Sequence, residues 1–260
     1  MRRSIWALAW LAALGVAASS AGAAQEFKPR EELLDFRGKG AFKVEIGGVN
    51  LVVGVEQTYR RPDGILMATD LLGLRAWMLA ESNVERSFSP QQGLVIEKKY
   101  RNLNRLPVHP SLAVQMSMVT FGTALRAVPD LHRVGAEKVL DYPCAIVEVP
   151  NESLLQQLRC LSPELEKQLG AGKTRAWLTE AHGLPVKIEV YDNEGKPAVL
   201  FGFTELQVNT GLKPSDLRLA APPNTPIVSV DVDLADPKWE EKMEKDLQRK
   251  ADQLLKRRQR

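Results

Sequence analysis

The segment from Lys173 to Val208 places the strongest constraint on the fold, because its apolar residues recur at every second position. Three such runs follow one another, separated by Gly183 and by the turn-forming segment Asp192–Gly195. The clearest run is Pro185–Tyr191, where valine and isoleucine alternate with polar residues. A period of two is typical of a half-buried strand rather than a helix. We therefore predict three antiparallel strands joined by two turns.

The third run, Ala198–Val208, changes sides along its length. Its first apolar residues share one face, but Leu206 and Val208 fall on the other. One extra residue in a strand of an antiparallel pair would produce this change. The pattern therefore predicts a β-bulge near Thr204 or Glu205.

Strand patterns also fill most of the remaining chain. Gly38–Ile46 and Leu51–Arg60 flank Gly47 and Gly48, a pair typical of hairpin turns. The same alternation predicts further strands at Ile65–Leu71, Gly73–Ala80, Val84–Phe88, Leu94–Tyr100, Val134–Val149 (with a turn at Leu140 and Asp141) and Ile227–Leu234. Short loops between the early strands suit an antiparallel meander.

Two segments have helical spacing instead. Ser111–Val128 is predicted to form one long helix, with Pro110 near its start. Asp236 and Pro237 open a terminal helix. Its apolar stripe consists of Trp239, Met243, Leu247, Ala251, Leu254 and Leu255.

The first 24 residues have the layout of a secretory signal peptide. Arg2 and Arg3 precede the apolar run Ile5–Ala18, and small residues follow at Ala21–Ala23. The run is shorter than the roughly 20 residues that span a membrane, which favours cleavage over anchoring. We therefore predict a periplasmic protein in three parts. Residues 1–24 form the signal peptide, residues 25–226 the main domain, and residues 227–260 a C-terminal strand and basic amphipathic helix.

Export affects the interpretation of Cys144 and Cys160, the two cysteines of the chain. Outside the cytoplasm two thiols usually pair, so a disulfide between them is predicted. In the loop-entropy model a loop of this size adds about 3 kcal/mol of stability. Two buried free thiols are the alternative.

The sequence lacks the usual patterns of catalysis and cofactor binding. It has no Gly-x-Ser-x-Gly elbow, phosphate loop or dinucleotide fingerprint. His109, His132 and His182 stand apart without a ligand-spaced partner, and each is predicted to be a surface or loop residue. The basic cluster at Lys256–Arg260 lacks interleaved aromatic residues. We therefore expect no enzyme activity, no metal, no cofactor and no nucleic-acid partner.

One continuous string resembles a known family. From Arg175 to Leu219 the chain reads RAWLTEAHGLPVKIEVYDNEGKPAVLFGFTELQVNTGLKPSDLRL, followed by APPNTP. A tryptophan-bearing strand, a GLPVK turn, a strand ending in YD and a long strand ending in VN are similar to the C-terminal half of the outer-membrane lipoprotein carrier (LolA-like) superfamily. A weaker likeness continues upstream through VGAEKVLDYPCAIVEV, so that the resemblance covers roughly Leu33 to Pro226.

The resemblance implies an α+β fold. It would be an unclosed antiparallel β half-barrel of about ten strands, covered by one long and a few short helices, with a C-terminal helix in addition. Such a half-barrel holds acyl chains in a hydrophobic cleft, where each buried methylene contributes about 0.8 kcal/mol. The candidate cleft residues lie on apolar faces that this architecture turns inward: Phe42, Val44, Val53, Met67, Met116, Phe201 and Phe203.

The implied function is a periplasmic carrier of lipid or lipoprotein acyl chains, for transport between membranes or outer-membrane sorting. The alternative is a lipid- or lipoprotein-sensing module that binds a membrane protein, as sigma-factor regulators with similar domains do. Lipoprotein carriers of this superfamily typically have an arginine in the strand after the proline-containing turn. This chain has none at Gly64–Met67, which favours apolar ligands in general over lipoproteins in particular.

The C-terminal helix has two interpretations. Residues 237–260 hold nine basic and five acidic residues, although the whole chain has a net charge of only +3. The first half of the helix could pack on the domain and leave a solvated basic tail. Alternatively, the helix could lie on an anionic membrane surface or on a membrane-protein partner.

Overall fold

A computed structural model describes residues 27–46, 49–105, 109–157 and 169–258. Twelve strands form one open sheet in the order β12-β6-β5-β4-β3-β2-β1-β11-β10-β9-β8-β7. The strands are β1 Asp35–Ile46, β2 Val49–Arg60, β3 Gly64–Leu71, β4 Leu74–Glu81, β5 Val84–Ser89, β6 Leu94–Arg101, β7 His132–Val139, β8 Tyr142–Pro150, β9 Lys173–Thr179, β10 Pro185–Tyr191, β11 Pro197–Val208 and β12 Ile227–Asp233. The helices among the described residues are α1 Leu112–Gln115, α2 Met118–Ala127, α3 Asn151–Gln157 and α4 Trp239–Arg258, with 3₁₀ turns at Leu103–Arg105 and Pro214–Asp216.

The predicted α+β class and the unclosed sheet are confirmed, with two strands more than the ten expected. The central meander is β9, β10 and β11, whose bounds lie within one residue of those predicted. The bulge is also confirmed: Lys39 of β1 pairs with Glu205, the next residue Gly40 pairs with Phe203, and Thr204 is left over. The extra residue shifts the alternation by one position, so Leu206 and Val208 lie on the same face as Phe201 and Phe203.

The two faces of the sheet differ in what covers them. The inner face is the one that carries Phe36, Phe42 and Val44 of β1, and the outer face is the opposite one. On the inner face, α1 packs on β3 and β4, α2 on β10, and α3 on β8 and β9. The main apolar core of the protein therefore lies between the inner face and these short helices.

The predicted long helix is wrong in one respect, since two helices replace it. Ser117 has extended backbone angles (φ −69°, ψ 136°) and separates α1 from α2. Its hydroxyl accepts hydrogen bonds from the amides of Val119 and Thr120 at 3.1 and 3.4 Å. A serine in this role starts a new helix and ends the preceding one.

The segment between β11 and β12 crosses the outer face. Arg60 Nε donates to the Leu212 carbonyl at 2.7 Å, and Arg37 pairs with Asp216 at 3.4 Å. At the far end the amide of Val95 donates to the Pro226 carbonyl at 2.8 Å. The segment thus runs from the end of β11, beside β1 in the middle of the sheet, to the edge at β6.

The last strand differs from the antiparallel pattern. β12 pairs with β6 in parallel, from Ile227 opposite Val95 to Asp233 opposite Arg101. The long outer-face segment before it permits this direction, because a tight turn would enforce an antiparallel pair. β12 therefore extends the same sheet, whereas the boundary predicted at residue 226 stays a prediction.

Candidate functional site

Apolar side chains from five neighbouring strands form rungs across the middle of the inner face. One rung joins Ile188, Phe201, Phe42, Val53 and Leu71, each directly opposite the next in the strand register. The Phe42 and Phe201 rings have centroids 4.6 Å apart. The rung is therefore a continuous apolar strip that runs perpendicular to the strands.

A second rung lies one step along the strands. It joins Val190, Val199, Val44 and Leu51 on β10, β11, β1 and β2. Val44 is buried, but Val190, Val199 and Leu51 are only half-buried. This rung leaves aliphatic surface in contact with solvent on the inner face.

Two glycines of β1 shape the opposite side of the strip. A Cβ atom on Gly38 would lie 2.5 Å from Cε1 of Phe203, and one on Gly40 would lie 2.3 Å from the carbonyl oxygen of Gly202. The glycines therefore allow the Phe203 ring to lie against β1, where it meets Phe201 at 4.9 Å between centroids.

Gln57 is a site residue that the sequence analysis missed. It is fully buried on the inner face, where its Nε2 donates to the carbonyl of Met116 and its Oε1 accepts from the amide of Met118. The signal was available: Leu51, Val53 and Val55 predict an apolar residue at position 57, and a polar one there needs a buried partner.

The seven predicted cleft residues share the inner face. Phe42, Met67, Met116, Phe201 and Phe203 belong to one buried cluster, Val53 packs against it, and Val44 is buried on the same face. Met67 lies opposite Gln57, and Gln57 donates a hydrogen bond to the carbonyl of Met116. This bond holds the junction of α1 and α2 against the inner face. That these residues bind a ligand stays a prediction.

Two surface clefts of about 380 and 420 Å³ among the described residues lie elsewhere. The smaller is lined by Ala171, Gly172, Lys173, Arg175, Tyr191, Asp192, Asn193 and Gly195, and the larger by Phe88, Pro90, Gly93, Pro222, Pro223, Asn224, Thr225 and Pro226. Neither contains a predicted cleft residue.

The two basic side chains of the smaller cleft are already paired with a carboxylate. Lys173 Nζ lies 3.0 Å from Glu148, and Arg175 Nε donates to the same carboxylate at 2.7 Å. Burial opposes the ionisation of Glu148, but these bonds outweigh it and hold the pKa of that carboxyl below its ordinary value. The cluster therefore cross-links β8 and β9.

The predicted disulfide is not shown. Cys144 is a buried free cysteine, and its Sγ lies 3.3 Å from the carbonyl oxygen of Tyr142. Cys160 lies outside the described residues. Burial raises the pKa of the Cys144 thiol to about 11, so this thiol stays protonated at neutral pH.

The histidines lie where they were predicted, at surface or loop positions. His132 is exposed, His109 lies in a loop and His182 in a turn, and the half-buried His109 ring meets Tyr100 edge-on at 6.2 Å. Among the described residues, no three His, Cys, Asp or Glu side chains are grouped as metal ligands.

The C-terminal helix packs on the domain with its first half. Trp239, Met243 and Leu247 contact a second small core formed by Tyr100, Val230, Val232 and Leu234. Lys250 Nζ donates to the carbonyl of Ser229 at 2.7 Å, on β12. In the part of the chain that the structure describes, no helix has the length and apolar character needed to cross a membrane.

The chain has been compared with known proteins. No protein-family model and no curated protein matches it. Among solved structures, the Pseudomonas aeruginosa MucA/MucB complex is 15% identical over 72% of this chain and 56% of that one, with a TM-score of 0.43. A separate MucB structure gives 15% identity over 84% and 64%, with a TM-score of 0.45. This chain thus spans less than two thirds of either MucB chain.

A third similar structure is described as an outer membrane lipoprotein-sorting protein domain, from Vibrio parahaemolyticus. It is 15% identical over 75% of this chain and 94% of that one, with a TM-score of 0.30. At such identities and TM-scores, the function of this chain has to be inferred from its own inner face.

Proposed function

We propose that this protein is a periplasmic carrier that binds lipid or lipoprotein acyl chains along the inner-face strip. The observation that carries the proposal is the half-buried rung of Val190, Val199 and Leu51 beside the buried rung of Phe42 and Phe201. Contact between these aliphatic side chains and water is unfavourable. Covering them with an acyl chain removes apolar surface from water and so lowers the free energy of the complex.

The flanking helices support this function. The middle strands β11, β1 and β2 lie between the strands that α1, α2 and α3 cover. These helices are short, and α1 and α2 are separated at Ser117 rather than continuous. An acyl chain would lie along the strip between them, and each buried methylene would contribute about 0.8 kcal/mol.

The test is the affinity for the fluorescent lipid cis-parinaric acid, measured by titration of the wild type, Val199→Glu and Val134→Glu. A carboxylate at Val199 would face the ligand and should weaken binding at least about 10-fold, since burying an unpaired charge is costly. Val134 lies on β7 and is 52% exposed, so its variant is the control. Equal affinity of all three proteins, each with an unchanged melting temperature, would contradict the proposal.

The second candidate function is a sensing module that binds a membrane-protein partner. It is favoured by β7, an edge strand of the sheet whose side chains are mostly exposed. Such an edge can accept an additional strand from another protein. A photo-crosslinking residue at Val134 should give one discrete membrane-protein adduct in cells if this candidate is correct. A carrier alone would give none while it still holds lipid.

A further inference from the structure

A polar strip separates the two apolar cores of the inner face. Glu85 of β5 lies opposite Ala80, which belongs to the main core, and opposite Lys98 of β6. Lys98 lies opposite Val230, which belongs to the small core under α4. Glu85 and Lys98 therefore occupy the border between the region that α1 covers and the region that α4 covers.

Glu85 and two residues of the α1 region, Ser111 and Gln115, each have a buried oxygen atom without a hydrogen-bond partner. Glu85 is 3% exposed; its Oε1 accepts from Lys98 Nζ at 3.0 Å, but its Oε2 is unpaired. Ser111 is fully buried with an unpaired Oγ. Gln115 is 5% exposed with an unpaired Oε1, although its Nε2 donates to the carbonyl of His109 at 2.5 Å. Buried polar atoms nearly always have a hydrogen-bond partner, so unpaired ones are places where a water molecule, an ion or a ligand group can bind.

His109 links these atoms to one another. Its Nδ1 accepts a hydrogen bond from the amide of Ser111 at 3.1 Å, and its carbonyl oxygen accepts one from Nε2 of Gln115. Residues 111 and 115 are four positions apart and so lie on the same side of α1. His109 Nε2 lies 3.4 Å from the carbonyl oxygen of Ser82, in the turn directly before β5, so His109 places Ser111 and Gln115 beside the start of the strand that carries Glu85.

We propose that Glu85 Oε2, Ser111 Oγ and Gln115 Oε1 form a headgroup subsite that accepts hydrogen bonds from a neutral, hydroxyl-bearing lipid. Two of the three atoms are pure acceptors, so the ligand must supply donors. A phosphate or carboxylate headgroup would meet the Glu85 carboxylate and be repelled. Because Lys98 already neutralises Glu85, a neutral polyol suits the site better than a cation.

The subsite shares the inner face with the acyl-chain strip, and this inference rests on the proposed function and deepens it. Gln115 is followed directly by Met116, which belongs to the main core together with Met67 and Met78. A headgroup held by Gln115 would therefore direct its chain onto the predicted cleft.

The test compares 1-monooleoylglycerol with methyl oleate as displacers of the methyl ester of cis-parinaric acid, a fluorescent probe without a charged headgroup. The two share one acyl chain, but only the glycerol ester has hydroxyl donors. Wild-type protein should bind the glycerol ester at least about 10-fold more tightly, the equivalent of about 1.4 kcal/mol. Ser111→Ala and Gln115→Met should each reduce the ratio to about 3-fold or less without changing the affinity for methyl oleate.

Ser117→Ala is the matched control, because Ser117 is also buried but its hydroxyl already caps α2. It should lower the melting temperature and keep the preference, whereas Ser111→Ala should keep the melting temperature and lose the preference. Equal wild-type affinity for the two esters would overturn the subsite and leave the carrier function standing. Binding of neither ester would overturn both. A preference that survives in both Ser111→Ala and Gln115→Met would overturn the assignment to these residues.

Discussion

Gln57 donates a hydrogen bond from Nε2 to the carbonyl oxygen of Met116, 3.0 Å away, where helix α1 ends. Its Oε1 accepts from the amide of Met118 at 3.1 Å, where α2 begins. One buried side chain thus pairs a free carbonyl and a free amide at a helix break. The bonds join the helical layer to β2 and set the position of Met116 above the apolar strip.

Replacing Gln57 with leucine should therefore be costly despite the apolar surroundings. It would leave a buried carbonyl and a buried amide without partners, and we expect the free energy of unfolding to fall by about 2–5 kcal/mol. Urea denaturation measures this change. Gln92→Leu, at an exposed position in the turn after β5, is the control and should change stability by less than about 0.5 kcal/mol. Similar losses in both variants would show that the Gln57 bonds contribute little.

Asp35 should hold the start of the outer-face segment. It is 5% exposed, and its carboxylate accepts from the amides of Thr210, Gly211 and Leu212 at 2.9, 3.1 and 3.2 Å. Asp35→Asn exchanges one acceptor oxygen for a donor, so we expect a loss of about 1–3 kcal/mol. Proteolysis after residue 212 should also become faster.

Asp70→Asn is the matched control, since the exposed Asp70 accepts only one amide, that of Gly73. Unchanged proteolysis in Asp35→Asn would mean that other contacts hold the segment.

Glu148 should contribute stability that depends on pH. Its folded pKa is depressed by Arg175 and Lys173 despite burial, whereas its ordinary value is 4.5. A depressed carboxyl pKa stabilises the fold above the ordinary pKa, and the contribution disappears as the pH falls through the lower folded value. Glu148→Gln should therefore be less stable than wild type at pH 7, and the difference should shrink below about pH 4.5. A difference that is constant with pH would contradict this.

Cys144 should react slowly with alkylating agents in reduced, folded protein. Burial raises its pKa to about 11 from an ordinary 9.0, so its thiolate fraction at pH 8 should be about 100-fold lower than in the unfolded chain. Peptide mass spectrometry after timed iodoacetamide treatment measures the rate at Cys144 alone, and urea-unfolded protein gives the reference. If Cys144 stays unmodified even after unfolding without reductant, the predicted disulfide with Cys160 is present instead.

The first half of α4 packs on the small core at β12. We expect the basic end of the helix to bind anionic membranes. The protein should sediment with phosphatidylglycerol vesicles at low salt and not at about 1 M salt, where the Debye length is about 3 Å. Reversing Lys256, Arg257 and Arg258 to glutamate should weaken binding by about 3 kcal/mol or more. Phosphatidylcholine vesicles are the neutral control. Equal, salt-independent sedimentation of the two proteins would rule out the membrane role.

Local patterns were sufficient for the strands, because side-chain alternation and turn residues act over a few positions. The meander β9 to β11, its bulge at Thr204, and the hairpin of β7 and β8 all followed from spacing in the sequence. The apolar face of each strand was also determined locally, and the six predicted cleft residues that lie on strands therefore share one face of the sheet.

Only the tertiary structure decided which distant groups meet. The helical spacing of residues 111–128 gave no sign of a break at Ser117, because the break depends on Gln57, which lies about 60 positions earlier and is buried beneath it. The parallel pairing of β12 with β6 depends on a path across the outer face. The oxygens of Glu85, Ser111 and Gln115 are buried and unpaired only in the folded chain, since burial and hydrogen-bond partnership depend on the whole fold and not on neighbours in sequence.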